Sequence, residues 1–160
     1  MTAFETTMPV RLIPTSKSLE REVDLPPHGR TIAFGAHGDV ARHYRMPEGT
    51  PELPTTLDYL VASVGGCLIG TFAGSLRRAK VPVGRAGLTA TATGSVASDE
   101  DGVLRMQSIT LDYDLAVPVE FHAAAEEVHA VHASRCPNAR SVAAAIEVVT
   151  RLRLTIPDAA

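Results

Sequence analysis

Between Thr56 and Arg78, the apolar residues Leu57, Leu60, Val61, Val64, Leu68 and Phe72 recur at intervals of three and four. That spacing predicts one long helix with a buried face. Val81-Pro82-Val83-Gly84 ends it, and Leu88 to Val96 then alternates Leu88, Ala90 and Ala92 with Thr89, Thr91 and Thr93, as a half-buried strand does. Asp99-Glu100-Asp101-Gly102 predicts a hairpin loop. On the return strand, Val103 to Val117, the apolar residues change parity: Leu104 and Met106 are even, whereas Ile109, Leu111, Tyr113, Leu115 and Val117 are odd. A bulge near Gln107 or Ser108 would bring both sets to one face.

A second helix is expected over Val119 to Ala133 and a shorter one over Asn138 to Ala145. A last strand follows, in which Ile146, Val148, Leu152, Leu154 and Ile156 share one parity. Residues 1–50 are broken by Pro26-Pro27, Gly29, Gly35, Gly38, Pro47 and Gly49 and read as short strands and loops. Val10 to Ile13 and Thr31 to Phe34 are the strand candidates there, with Arg42 to Met46 a weaker third. The order of elements predicts an α+β fold, the long helix packed on an antiparallel sheet. A chain of 160 residues suits one core rather than two ordinary domains, so residues 1–160 are expected to form a single domain, with residues 1–8 flexible.

Composition narrows the function. Apolar residues make up 45% and charged residues 21%, the usual soluble mixture. The net charge of -3 offers no basic patch, which argues against a nucleic-acid partner. Glu5 and Arg11 interrupt the N-terminal apolar stretches, against a secretory signal, and no run of ~18 consecutive apolar residues suggests a membrane span. A cytoplasmic location is the expectation. Two cysteines, Cys67 and Cys136, stand 69 positions apart, which is neither a disulfide framework nor a zinc-finger spacing.

Cys67 follows Gly65-Gly66 in the long helix, with Gly70 and Gly74 beyond it. Each glycine costs a helix about 1 kcal/mol relative to alanine, which points to close approach of another backbone or helix. Cys67 reads either as a small buried apolar residue or as a thiolate that needs a neighbouring cation. Cys136 lies between Arg135 and Pro137 at the mouth of the short helix, where Arg135 and the helix start would favour a thiolate. A thiolate that attacks a peroxide becomes a sulfenic acid, and a second thiol within reach resolves it as a disulfide. A rival constellation is the stripe His122, His129 and His132 with Cys136, which would suit zinc. The plainer reading of that stripe is a polar helix face that includes Glu126.

The stretch Thr55-Thr56-Leu57-Asp58-Tyr59-Leu60-Val61-Ala62-Ser63-Val64-Gly65-Gly66-Cys67 and the stretch Val131-His132-Ala133-Ser134-Arg135-Cys136-Pro137-Asn138-Ala139-Arg140-Ser141-Val142, in this order with a hairpin and helix between them, resemble the two motifs of the OsmC/Ohr family. The resemblance implies an intertwined homodimer with the long helices packed centrally, a peroxidatic Cys67 and a resolving Cys136. It further implies an organic hydroperoxide as substrate and an external dithiol as reductant, with no cofactor and no metal. Family peroxidases carry a glutamate ten positions before the first cysteine, which with an N-terminal arginine orients the thiolate. Leu57 occupies that position here, and Asp58 is the nearest carboxylate. Asp58 is also placed to cap the helix with Thr55. Arg30, beside Gly29, matches the family's arginine context best, ahead of Arg42 and Arg45. Apolar neighbours such as Leu60, Val64 and Phe72 would favour an alkyl hydroperoxide. The alternatives are a non-catalytic dimer that binds an apolar or electrophilic small molecule, and a metal-binding module on the histidine stripe.

Overall fold

The computed structural model describes residues 6–12, 20–25, 29–84 and 87–157. They fall into two compact units, Met1–Tyr59 and Leu60–Ala160. In the first, strands β1 (Val10–Leu12), β2 (Arg21–Leu25) and β3 (Arg30–Phe34) form an antiparallel sheet in that order. Ile13 and residues 1–5 lie outside the described residues, and with them the end of the first expected strand and most of the segment expected to be flexible.

The expected strand over Arg42 to Met46 is not formed. Gly38 at φ 52° turns the chain into a short helix, α1 (Gly38–His43), braced by an ion pair between Asp39 and Arg42, and Arg45 takes a left-handed φ of 52° that no extended run tolerates. After α1 the chain returns beside β3. Gly35 N–H donates to the Pro54 carbonyl at 2.9 Å, and a Cβ at Gly35 would stand 2.8 Å from that of Leu53, so glycine is required by the close approach. Phe34 and Tyr59 pack at a tilt, with ring centroids 4.5 Å apart, and the Tyr59 hydroxyl donates to the Ala33 carbonyl.

Helix α2 (Thr56–Arg78) supplies the core of the second unit. Val64, Leu68, Phe72 and Leu76 are buried on one side, as the periodicity predicts. By length and composition α2 would also suit a bilayer; its apolar row is instead buried in the core of this unit. Strands β4 (Leu88–Ser98) and β5 (Leu104–Ala116) form the hairpin, and their register skips Gln107: Ser95 faces Ser108, and Val96 faces Met106. This is the bulge that the parity change predicts, and it buries Met106 with Ile109, Leu111, Tyr113 and Leu115. Two glycines let sheet and helix close up. A Cβ at Gly65 would meet that of Ala92 at 3.0 Å, and one at Gly94 would meet Val61 at 2.6 Å and the Met106 sulfur at 2.9 Å.

A turn at Val119–Phe121, helix α3 (His122–His132), a turn at Ala133–Arg135 and helix α4 (Pro137–Val142) lead to β6 (Glu147–Thr155). This crossover makes β6 parallel to β5, so the sheet is mixed rather than wholly antiparallel. Arg151 and Arg153 stand opposite Asp112 and Asp114 and pair with them, a charge match that favours this register.

Candidate active site

The fold brings the two cysteines together. Cys67 is half-buried on α2, Cys136 is fully buried, and both are free thiols. Cys136 sits at the N-cap of α4 with extended φ and ψ of -81° and 120°, and Pro137 starts the helix where its missing N–H costs nothing. There the Cys136 side chain lies within hydrogen-bonding reach of Cys67, of the Thr71 hydroxyl and of the Ala139 N–H. Thr71, one turn below Cys67, also donates to the Cys67 carbonyl at 2.8 Å. Asn138 fixes the other side, donating to the Ser63 carbonyl at 3.0 Å and its Oγ at 2.9 Å.

The electrostatics of Cys136 differ from the sequence expectation. Burial pushes its thiol up, the Ala139 N–H and Thr71 oppose this, the Cys67 sulfur adds to the rise, and the net direction is upward. Arg135, expected to favour the thiolate, is exposed. The buried member of the pair is therefore held as a thiol at rest.

The histidine stripe is divided among separate tasks. His122 Nε2 donates to the Val117 carbonyl at 3.1 Å, and fully buried His132 lies between the Tyr113 hydroxyl at 3.0 Å and the His129 carbonyl at 2.7 Å. His129 packs edge-on against Phe72 and Tyr113, and its buried Nε2 has no partner. Among the described residues, no three His, Cys, Asp or Glu side chains converge as a metal ion would need.

Asp58 and Arg30 are placed in the first unit. Asp58 N–H donates to Thr55 Oγ1 at 3.1 Å, while Thr55 N–H and Oγ1 donate to Asp58 Oδ2 at 2.6 and 2.7 Å, which is the reciprocal cap that the sequence suggests. His37 Nε2 donates to the same carboxylate oxygen at 2.8 Å. Arg30 is exposed at the start of β3, and Leu57 is half-buried in the first turn of α2. Val64 and Phe72 are buried in the core of the second unit, and Leu60 is half-buried. Sequence reasoning misses Ser63, Thr71, Tyr113 and Asn138. Only Tyr113 leaves a signal: a tyrosine on the buried parity of a strand must find a partner for its hydroxyl.

A family model described as OsmC-like protein matches residues 49–151. An OsmC like protein from Mycoplasma pneumoniae has a similar solved structure, with a TM-score of 0.73 at 15% identity over 96% of this chain and 99% of that one. An organic hydroperoxide resistance protein from Elizabethkingia anophelis gives 0.68 at 14% identity over 96% and 100%. That of Bacillus subtilis gives 0.64 at 13% over 92% and 98%. At these identities the likeness is one of fold. No match is found among curated proteins.

Proposed function

The chain belongs to the OsmC-like protein family, and from that premise we propose that it is a two-cysteine thiol peroxidase that reduces organic hydroperoxides. One observation carries the proposal: two free thiols 69 positions apart in sequence meet in one place, one half-buried and one buried. The names of two structural relatives, organic hydroperoxide resistance proteins, support the substrate class. In the proposed cycle the Cys67 thiolate attacks the outer peroxide oxygen, the O–O bond breaks, and the alkoxide leaves as the alcohol with a proton. Cys67 becomes a sulfenic acid. Cys136 then attacks that sulfur, the S–O bond breaks, water leaves and a disulfide forms. An external dithiol returns both sulfurs to thiols.

A second copy of the chain is the proposed partner. Ala62, Gly66, Gly70 and Ala73 form an exposed row of small side chains along α2, and a Cβ at Gly66 or Gly70 would meet nothing within 4 Å. Such a row suits a closely packed helix from the second copy and gives the glycine cost a purpose. Leu57 favours a second reading, a non-catalytic binding dimer, because a half-buried leucine supplies no charge where family peroxidases carry a carboxylate.

Peroxide titration separates these readings. One equivalent of cumene hydroperoxide should convert two thiols per chain into a Cys67–Cys136 disulfide, read by mass spectrometry. Cys136→Ser should leave Cys67 as a trappable sulfenic acid, whereas Cys67→Ser should abolish peroxide consumption. Two unmodified thiols, or slow and equal oxidation of both, would support the binding protein instead.

A further inference from the structure

Cys136 is buried, but the chain on either side of it is not. Arg135, Pro137, Arg140 and Ser141 are exposed and line an open cavity of about 400 Å³ on the outer side of the Cys-Pro turn. The inner side of the same short helix is occupied, since Asn138 is bonded to Ser63 and Ala139 is buried. Arg135 and Pro137 adjoin Cys136 in the chain, and the Arg140 N–H donates to the Cys136 carbonyl at 3.0 Å, so the cavity is built around the second cysteine itself. Adjacent Cα atoms are about 3.8 Å apart and the two sulfurs lie within hydrogen-bonding reach, which sets the Arg135 backbone no more than about 11 Å from the Cys67 sulfur.

This cavity is positive in an acidic chain. No Asp or Glu occurs between Glu127 and Glu147, and among the described residues neither Arg135 nor Arg140 pairs with a carboxylate, whereas Arg42, Arg151 and Arg153 do. Against a net charge of -3 the two guanidiniums form a local field of opposite sign, which draws an anion to this turn. The planar fork of arginine matches a carboxylate. The Ser141 hydroxyl is given to the Pro137 carbonyl at 2.9 Å, which leaves the guanidiniums as the charged donors that line the cavity.

Position decides which ligand carries that anion. A peroxide has to meet Cys67, yet no lining residue lies on α2, and Pro137 is the one apolar wall an organic group would find. A reductant has to meet the disulfide, and the Cys136 half of it is flanked by these residues. We infer that Arg135 and Arg140 form the docking site of an anionic thiol reductant and hold its carboxylate beside the Cys67–Cys136 disulfide. The inference rests on the peroxidase reading and gives its reductant a charge. In the reductive half the reductant thiolate attacks the sulfur of Cys67, the less buried cysteine, the S–S bond breaks, and Cys136 leaves as a thiolate that takes up a proton. A second reductant thiol attacks the mixed disulfide, Cys67 leaves as a thiol, and the reductant departs as its own disulfide. Two electrons pass to the protein, and the proton of each reductant thiol is matched by one gained at a protein sulfur.

The test uses the protein disulfide made with diamide, without peroxide. Mass spectrometry follows its reduction by excess glutathione, which carries two carboxylates, and by glutathione diethyl ester, which carries none and has the same thiol. The ratio of the glutathione rate to the diester rate should be about tenfold higher in wild type than in Arg135→Gln/Arg140→Gln, and about 0.5 M salt should shrink that difference. S-Methylglutathione keeps the carboxylates and lacks the thiol, so it should slow the glutathione reaction of wild type and not that of the double variant. Equal ratios in the two proteins would overturn the inference. A diamide-treated chain with no intramolecular disulfide would overturn it too. So would a double variant that keeps the wild-type reduction ratio and loses a preference for a carboxylate-bearing hydroperoxide over cumene hydroperoxide, which would give the cavity to the substrate. If the unsubstituted protein does not consume peroxide, the peroxidase reading fails while the reduction ratio still decides the docking site.

Discussion

The side-chain amide of Asn138 spans 75 positions of sequence to hold Ser63, donating to its carbonyl at 3.0 Å and to its hydroxyl at 2.9 Å. Ser63 lies one turn before Cys67 on α2, and Asn138 lies two residues after Cys136. These bonds tie the Cys-Pro turn to the helix that carries the other thiol. A hydrogen bond of this kind contributes about 1 kcal/mol net, and an acceptor forced against an acceptor costs more. Asn138→Ala should therefore lower stability by about 1 kcal/mol in urea, and Asn138→Asp, which sets a carboxylate against the Ser63 carbonyl, by more. Both should slow formation of the Cys67–Cys136 disulfide, read by quenched mass spectrometry. Unchanged disulfide rates in both variants would remove Asn138 from the alignment of the thiols.

Asp58 offers a pH test. Burial opposes its charge, but hydrogen bonds from the Thr55 hydroxyl and N–H, and the bond and charge of His37, outweigh burial and hold the carboxyl below its usual range. A carboxyl depressed in the folded state contributes stability above its unfolded pKa, about 4, and loses it as pH falls through the lower folded value. Asp58→Ala should cost about 1 kcal/mol near neutrality through loss of the helix cap. The gap between variant and wild type in urea denaturation should close below about pH 4. A gap that persists at pH 2 would mean that the charge is not what stabilises the start of α2.

Legibility from sequence follows the range of each interaction. The long helix, the hairpin bulge and the Thr55–Asp58 cap are local patterns, and each is present in the structure. Strand β2 is hidden because Arg21, Glu22 and Asp24 interrupt any apolar run, while its pairing with β1 and β3 is made by backbone. The parallel placement of β6 is a property of the crossover, and parity alone does not report direction. Proximity of Cys67 to Cys136 has no local signature either; only the family resemblance implies it. The resemblance is silent on Tyr113, whose alternation shows burial but does not name His132 as its partner.

The aromatic cluster predicts acid sensitivity above the carboxylate range. Burial lowers His129, helped by the charge of its neighbour His132; burial also lowers His132, partly offset by its bond to the His129 carbonyl. For a histidine depressed in the folded state, the unfolded chain binds protons first, so stability is full above about pH 6.5 and falls as pH drops toward the folded values. Chemical denaturation of the Cys67→Ser chain between pH 8 and 5 should show this decline. His129→Leu should flatten it, since removing a buried imidazole nitrogen without a partner also removes its proton linkage. An equally steep decline in that variant would assign the acid sensitivity to other groups.

The glycines separate packing inside the chain from packing between copies. At Gly94 a methyl group would stand 2.6 Å from Val61 Cγ2 and 2.9 Å from the Met106 sulfur. Val61 is β-branched on a helix and has little rotamer freedom, so the strand would have to move. Gly94→Ala should cost about 1–3 kcal/mol, as over-packing does. Gly70 also lies on α2, but a methyl group there would touch nothing within 4 Å, and Gly70→Ala should stabilise the isolated helix by roughly 1 kcal/mol. The contrast becomes a test of assembly once Gly70 is replaced by a charge. Gly70→Glu leaves the contacts of the chain intact, yet it would bury an unpaired carboxylate if a second copy rests on the row formed by Ala62, Gly66, Gly70 and Ala73. Light scattering of the wild type should give twice the chain mass, and Gly70→Glu should give the mass of one chain with unchanged far-ultraviolet circular dichroism. A Gly70→Glu protein that remains a dimer would move the interface off this face of α2.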